Sequence, residues 1–466
     1  MSFITKLFRF IHDEIGLSTL RNAGYDVYVI ILVRMIRLIG FGSTSLILAL
    51  YLKQLVSDES YIGYFMTLTF LGDLISSFYF SLITDQVGRK KILVLCSVLM
   101  VITGVVFGIL ENYYVLCTVA FLGIMTPSGG EVGPFRTIEQ SAIAKLCQFN
   151  KDRSDIYSWY TFLGMFCGAI GSAFAGVIID LTKNKLEYTE LDSYKAVFWI
   201  YAGLGVISTI LCLTISPAIE PTKVLSNNGI DATPSSATEA TRLIENETED
   251  EIVDSTRTVT TPKKSFFTFL PQHLSTSTYI IIVKICFLFG LDSFASSLTP
   301  LSWQSFYFKH KFDISSSFLG SVFFTTGLIS GITSLASTSM TKRLGAVITM
   351  AATHLPASFL LTMIPIPLTM QVTLAILILR SSIQSMDVAP KHVFLAALVP
   401  DEDRTAVFGF VNVVKTLAQI IGPSIVGVMT KNGLQWLTFI IAGSLKIVYD
   451  LGVLFTFMTY NRHSEH

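Results

Sequence analysis

The chain has 466 residues, of which 51% are hydrophobic and only 14% are charged, and its mean hydropathy is +0.61. This composition is too apolar for an ordinary soluble protein and predicts several spans across a lipid bilayer. Lys and Arg together number 33, as do Asp and Glu, so the chain has no basic surplus for nucleic-acid binding. We therefore expect no nucleic-acid partner.

The first half of the sequence predicts six spans. A cytoplasmic segment, residues 1–24, comes first and is followed by six apolar stretches, each near the roughly 20 helical residues that a bilayer requires or longer. The fourth stretch is interrupted at Pro127, and a break at membrane depth survives only where protein or a watery cavity satisfies the backbone. The predicted spans cover residues 27–52, 61–83, 92–110, 113–146, 156–181 and 194–216.

The second half repeats this organisation after a change of composition. Residues 217–271 are rich in Ser, Thr, Asn, Asp and Glu and predict a flexible cytoplasmic linker. The domains are thus a six-helix bundle at 25–216, the linker, a second bundle at 272–460 and a tail at 461–466. The spans of the second bundle are predicted at 279–306, 317–340, 346–365, 368–397, 405–429 and 434–460.

A short polar loop between the second and third spans carries the most specific motif. It contains Asp85, Gly88, Arg89 and Lys90, with Ser81 four residues before the acid. The loop resembles the Gly-x-x-x-Asp-(Arg/Lys)-x-Gly-Arg-(Arg/Lys) signature of the major facilitator superfamily, although Ser81 replaces the first glycine and a glutamine replaces the first basic residue. A degraded copy ends at Gly345 in the second half.

The resemblance implies an all-α membrane protein with about 12 transmembrane helices in two pseudo-symmetric six-helix halves. It implies that helices 1, 4, 7 and 10 surround a central cavity, and that Asp85, Gly88, Arg89 and Lys90 form a conformational latch. It further implies a secondary transporter that works by alternating access. We expect a monomer.

Ionisable groups at membrane depth are costly, so each is a candidate for the translocation path. Spacing alone leaves open whether such groups bind solute or form salt bridges that gate the two halves. Lys446 and Asp450 are four residues apart in the last predicted span and are expected to neutralise each other. Candidates for proton coupling are Asp73, Glu139, Asp292 and Asp387. The predicted path residues are Arg34, Arg37, Glu131, Arg136, Glu139, Asp292, Arg380, Asp387 and Lys391.

The function predicted from these features is secondary active transport of a small polar or charged solute, coupled to H+. Two alternatives are a drug/proton antiporter and a non-transporting sensor with the same fold. The antiporter signature is only partly present, since Gly168 is followed by Ala169 and not by proline. Basic residues gather in the loops on the side of the signature, which predicts that both termini are cytoplasmic. The sequence does not distinguish a plasma membrane from an organelle membrane.

No enzyme activity and no cofactor are expected. The six cysteines fall mostly in apolar segments without Cys-x-x-Cys or Cys/His spacing, which argues against metal sites and a disulfide framework. Neither a Gly-x-Ser-x-Gly nucleophile motif nor a nucleotide-binding loop is present in the sequence.

Overall fold

The structure, a computed structural model, describes residues 17–129, 134–147, 150–220, 276–398 and 404–457. All regular elements in these ranges are helical. Predictions for residues 1–16, for Glu131, for the linker beyond residue 220 and for the tail lie outside the described residues.

The first half forms six membrane crossings after a short helix, Leu17–Arg21. Polar side chains define where several of them begin: Asp58 accepts a hydrogen bond from the Ser60 amide, and Asn112 accepts from the amide of Tyr114. The fourth crossing is broken near Pro127, as the sequence predicts. The helices are α1 (Tyr25–Leu55), α2 (Glu59–Val87), α3 (Arg89–Ile109), α4a (Tyr113–Leu122), α4b (Pro134–Leu146), α5 (Asn150–Lys185) and α6 (Glu190–Thr214).

The second half has the same order of crossings, with two breaks. Pro300 separates the two parts of the seventh crossing, and a 3-10 turn, Ser385–Asp387, divides the tenth. The helices are α7a (Thr276–Ser297), α7b (Leu301–Phe312), α8 (Ser316–Leu344), α9 (Ala346–Met363), α10a (Met370–Gln384), α10b (Val388–Leu398), α11 (Arg404–Lys431) and α12 (Gln435–Phe457).

Within the described part of the chain, ten segments are long and apolar enough to cross a membrane. The two remaining crossings are α4a with α4b and α10a with α10b, whereas the seventh crossing is counted among the ten despite its break at Pro300. The all-α fold with about 12 spans is therefore confirmed.

Corresponding turns in the two halves have the same backbone conformation. Gly88 between α2 and α3 has a φ of 106°, and Gly345 between α8 and α9 has a φ of 81°. Both angles favour glycine because a Cβ is strained there. We call the end of the molecule that carries Gly88 and Gly345 the hinge end, and the other end the far end.

The two halves meet closely between the middle of the molecule and the far end. At Gly63 of α2 a Cβ would lie 2.4 Å from the Pro423 carbonyl oxygen of α11, and at Gly176 of α5 it would lie 2.2 Å from the Ser316 carbonyl oxygen of α8. Glycine at these positions lets helix backbones of opposite halves touch.

Hydrogen bonds between described residues of the two halves also lie in this region. Thr67 and Ser424 share one of 2.6 Å, and the Lys431 ammonium donates one of 2.6 Å to Asp58. The bond from Lys431, together with the backbone N–H of Ser60, lowers the pKa of Asp58 to about 2. The structure is therefore closed at the far end.

Candidate functional site

A cavity of about 530 Å³ lies between the two halves. Its volume falls in the range of sites that hold metabolite-sized ligands. Helices of both halves contribute to its wall, and five of the predicted path residues line it: Arg34, Asp292, Arg380, Asp387 and Lys391.

Asp292 of α7a is the centre of a charged cluster on the wall formed by the second half. One of its oxygens accepts a hydrogen bond of 2.8 Å from Lys391 of α10b, and the other accepts one of 2.6 Å from Lys446 of α12. Lys446 also donates to Ser296, one turn along α7a. Three helices are thus joined through one buried carboxylate.

Asp387 adds a second carboxylate to this cluster. It lies in the 3-10 turn that breaks the tenth crossing, and its carboxylate is 2.5 Å from the Lys391 ammonium. The break places Asp387 beside His354 of α9, whose Nε2 lies 3.7 Å from Asp387 and 3.8 Å from Asp292.

His354 joins the cluster to a third carboxylate, Asp450 of α12. The distance from Nδ1 of His354 to Asp450 is 2.7 Å, and Ser358 donates a further hydrogen bond of 3.0 Å to the same carboxylate. The ring of Tyr449 lies edge-on against the imidazole at 5.7 Å. The predicted pairing of Lys446 with Asp450 is wrong, because each has a nearer partner on another helix.

The cluster contains one more negative than positive charge when His354 is neutral. Because five of its members are buried and Lys391 is only 17% exposed, an imbalance of one charge is energetically significant. A proton on the imidazole would balance the charges. The members are Asp292, Asp387, Asp450, Lys391, Lys446 and His354.

Arg380 of α10a lines the same cavity but is not part of the cluster. It is only 9% exposed, and it makes no hydrogen bond or ion pair with any residue that the structure describes. Gln384, one helical turn further, also lines the cavity. The two side chains leave amide and guanidinium donors for a bound solute.

Arg34 of α1 reaches the cavity from the first half. Its guanidinium stacks 3.7 Å from the centre of the Tyr160 ring. Gly164 of α5 makes room for it, since a Cβ there would lie 2.6 Å from Nε of Arg34.

Arg37 and Glu139, predicted on the path, instead form a buried pair inside the first half. Their two hydrogen bonds measure 2.8 and 2.9 Å, the side chains are 0% and 1% exposed, and neither lines the cavity. Tyr160 donates a further bond of 2.6 Å to Glu139. Three residues along α1 from Arg34, Arg37 points toward α4b instead of the cavity, where the ring of Phe135 lies under its guanidinium at 3.9 Å.

Two other predicted residues do not line the cavity. Arg136 of α4b is exposed and is not among the residues that line the cavity. Asp73 of α2 is partly exposed and makes no hydrogen bond with a described residue. The structure therefore does not bring Arg136 and Asp73 together with the other candidates.

At the hinge end, the predicted latch residues bind a carboxylate that sequence reasoning missed. Glu220, just after α6, accepts hydrogen bonds from the backbone amides of Arg89 and Lys90 at 2.7 and 3.1 Å. The Arg89 side chain donates to the Ile219 carbonyl at 2.8 Å. Glu220 thus caps the amino end of α3 where a negative charge is favoured, next to Gly88. The side chain of Asp85 lies outside the described residues.

Comparison with known proteins places these features in a family. The sequence model of the Major Facilitator Superfamily matches residues 30–301 and 285–466. An uncharacterised membrane protein of Saccharomyces cerevisiae is 31% identical over 418 residues, which cover 89% of this chain and 90% of that protein.

Solved structures agree in fold. A D-xylose–proton symporter superposes with a TM-score of 0.66 at 16% identity, over 92% of this chain and 97% of its own. The nucleoside transporter NupG superposes with a TM-score of 0.62 at 14% identity, over 93% of this chain and 99% of its own.

Proposed function

This chain belongs to the Major Facilitator Superfamily, and we propose that it couples the movement of a proton to the transport of a small polar or charged solute. The family and fold make it a multi-pass membrane protein and a secondary transporter, not an enzyme. One protein of this fold is a xylose–proton symporter, so the architecture is compatible with proton coupling.

The observation that carries the proposal is the position of His354. Its imidazole stands between Asp450 on one side and Asp292 and Asp387 on the other, at the wall of the cavity. Histidine is the side chain whose charge changes most readily near neutral pH. The cluster lacks one positive charge, which a proton at His354 supplies.

Protonation changes which partners the carboxylates prefer. The imidazolium would attract Asp292 and Asp387 across 3.8 and 3.7 Å, in competition with Lys391 and Lys446, which hold these carboxylates in this structure. Weaker lysine contacts loosen α10b and α12 from α7a. A proton can shift the equilibrium between two conformations only through such a difference in contacts.

Alternating access requires that the far end also opens. The contacts that must then break are those between Lys431 and Asp58 and between Thr67 and Ser424. The basic loops place the hinge end in the cytoplasm, so this arrangement would face inward.

The test is proton movement in proteoliposomes that contain a pH-sensitive dye. Xylose, uridine, succinate, citrate, inorganic phosphate and choline are added separately, and a coupled solute changes the luminal pH when it is carried. We expect at least one of these solutes to produce a signal that empty liposomes lack.

His354→Gln is expected to abolish the proton signal while the protein still inserts and purifies. His310→Gln is the matched control, since His310 is an exposed histidine at the end of α7b. A proton signal of wild-type size in His354→Gln would refute the role of the imidazole, and solute uptake without any proton movement would refute coupling altogether.

A further inference from the structure

We infer that the solute carries a carboxylate or phosphate group and that Arg380 binds this group in the cavity. The inference rests on the proposed function, since it names the chemical class of solute for the same transport site. The argument begins from the environment of Arg380.

Arg380 is a buried cation without a counterion among the residues that the structure describes. Taking a guanidinium out of water is costly unless a negative group compensates it. At the wall of a cavity that holds solute, an anionic ligand can supply this compensation.

The other charges of the cavity do not compensate Arg380. The carboxylates that line it, Asp292 and Asp387, are already held by Lys391 and Lys446. Four basic side chains, Arg34 among them, line the cavity against two carboxylates. When Asp450, which belongs to the charged cluster without lining the cavity, is also counted, one positive charge remains in excess. This field favours an anion and opposes a cation.

The guanidinium also selects the shape of the group. Its planar fork of N–H donors matches two oxygens of one carboxylate or phosphate. Gln384, on the same face of α10a, can donate to a further oxygen of the solute. A proton on His354 would add positive charge to the same wall, so proton and anion would each favour the binding of the other.

The experiment measures thermal unfolding of the full chain in detergent with and without probes at constant ionic strength. The anionic probes are sodium succinate, citrate and phosphate, which distinguish carboxylate from phosphate. Xylose and uridine are the neutral probes and choline is the cation. We expect at least one anion to raise the Tm of the wild type, because a ligand of the native state stabilises it.

Arg380→Gln should weaken binding of that anion by about 10- to 100-fold, the range for loss of a charged hydrogen bond. Arg380→Lys should retain part of the response, and Arg21→Gln, at an exposed arginine outside the cavity, should retain all of it. Without probes, Arg380→Gln should unfold at a Tm equal to or above that of the wild type, because the variant no longer buries an uncompensated charge. An arginine with a purely structural role would give the opposite shift.

Three outcomes would overturn the inference: no anion stabilises the wild type, only neutral or cationic probes do, or Arg380→Gln responds as the wild type does. The proton assay separates this result from the proposed function. Proton movement driven by xylose, uridine or choline alone would leave coupled transport standing and remove the anion. Anion binding that depends on Arg380, without proton movement, would support the anion site and refute proton coupling.

Discussion

The buried pair between Arg37 and Glu139 offers the sharpest test of how charges are used in the first half. Glu139→Gln keeps the shape of the side chain and removes its charge, so that the guanidinium of Arg37 loses a partner bound through both oxygens. Breaking a fully buried ion pair costs about 3–5 kcal/mol. For a bundle of this half's size, that cost corresponds to a fall in Tm of about 10 °C.

Two further variants show how much of this loss of stability comes from the unpaired charge. Tyr160→Phe removes a single hydrogen bond to the Glu139 carboxylate, at a cost of about 1.5–3 kcal/mol. Arg37→Met combined with Glu139→Leu replaces the pair by apolar side chains, which is often neutral or stabilising. We therefore expect the double variant to unfold close to the wild-type Tm, and Glu139→Gln to unfold at the lowest temperature of the set.

A dye that fluoresces on reaction with thiols can follow the unfolding. Five of the six cysteines are buried and become reactive only when helices separate. Because the pair does not line the cavity, the double variant should also keep the proton signal of the wild type. A double variant less stable than Glu139→Gln, or one that folds but carries no solute, would contradict the structural role given to the pair.

Three further predictions concern the two ends of the molecule. Asp58→Asn should loosen the far end, which would be seen as faster maleimide labelling of a cysteine introduced there. The same contact should depend on pH. Because the pKa of Asp58 is lowered from 3.8 to about 2 in the folded protein, its contact with Lys431 is complete above pH 3.8 and is lost as the pH falls through 2. A disulfide between Thr67→Cys and Ser424→Cys should stop solute uptake in proteoliposomes and a reductant should restore it, whereas either cysteine alone should not respond to oxidation. Glu220→Gln should lower the Tm by an amount equivalent to about 1 kcal/mol through loss of a charged cap on α3, measured by the same thiol dye, and an unchanged Tm would exclude this cap.

Span length and burial cost allowed most of the architecture to be predicted from sequence. The first span was expected at 27–52 and runs over Tyr25–Leu55, and the break near Pro127 was expected where it occurs. A charge at membrane depth must face either protein or a cavity, which made Asp292, Arg380 and Asp387 candidates, and all three line the cavity.

The sequence could not predict which charged side chains form ion pairs, because this depends on the rotation of each helix about its axis. His354 is the one ionisable residue of α9, and its partner Asp450 is 96 residues away. The i,i+4 spacing of Lys446 and Asp450 shows that they can meet, but Asp292 binds Lys446 at 2.6 Å from another helix. For the same reason the sequence could not show that Arg37, three residues from Arg34, lies against Phe135 and pairs with Glu139 in this structure.

The two halves differ in what their buried charges are free to do. In the first half both oxygens of Glu139 accept hydrogen bonds from Arg37, and Tyr160 donates one more to the same carboxylate. In the second half the carboxylate of Asp292 lies within 4 Å of the basic nitrogen atoms of Lys391, Lys446 and His354. A carboxylate with several bases at comparable distances can change partners when one of them gains a proton. Rearrangements coupled to transport should therefore concentrate in the second half, while the first half acts as the rigid body against which it moves.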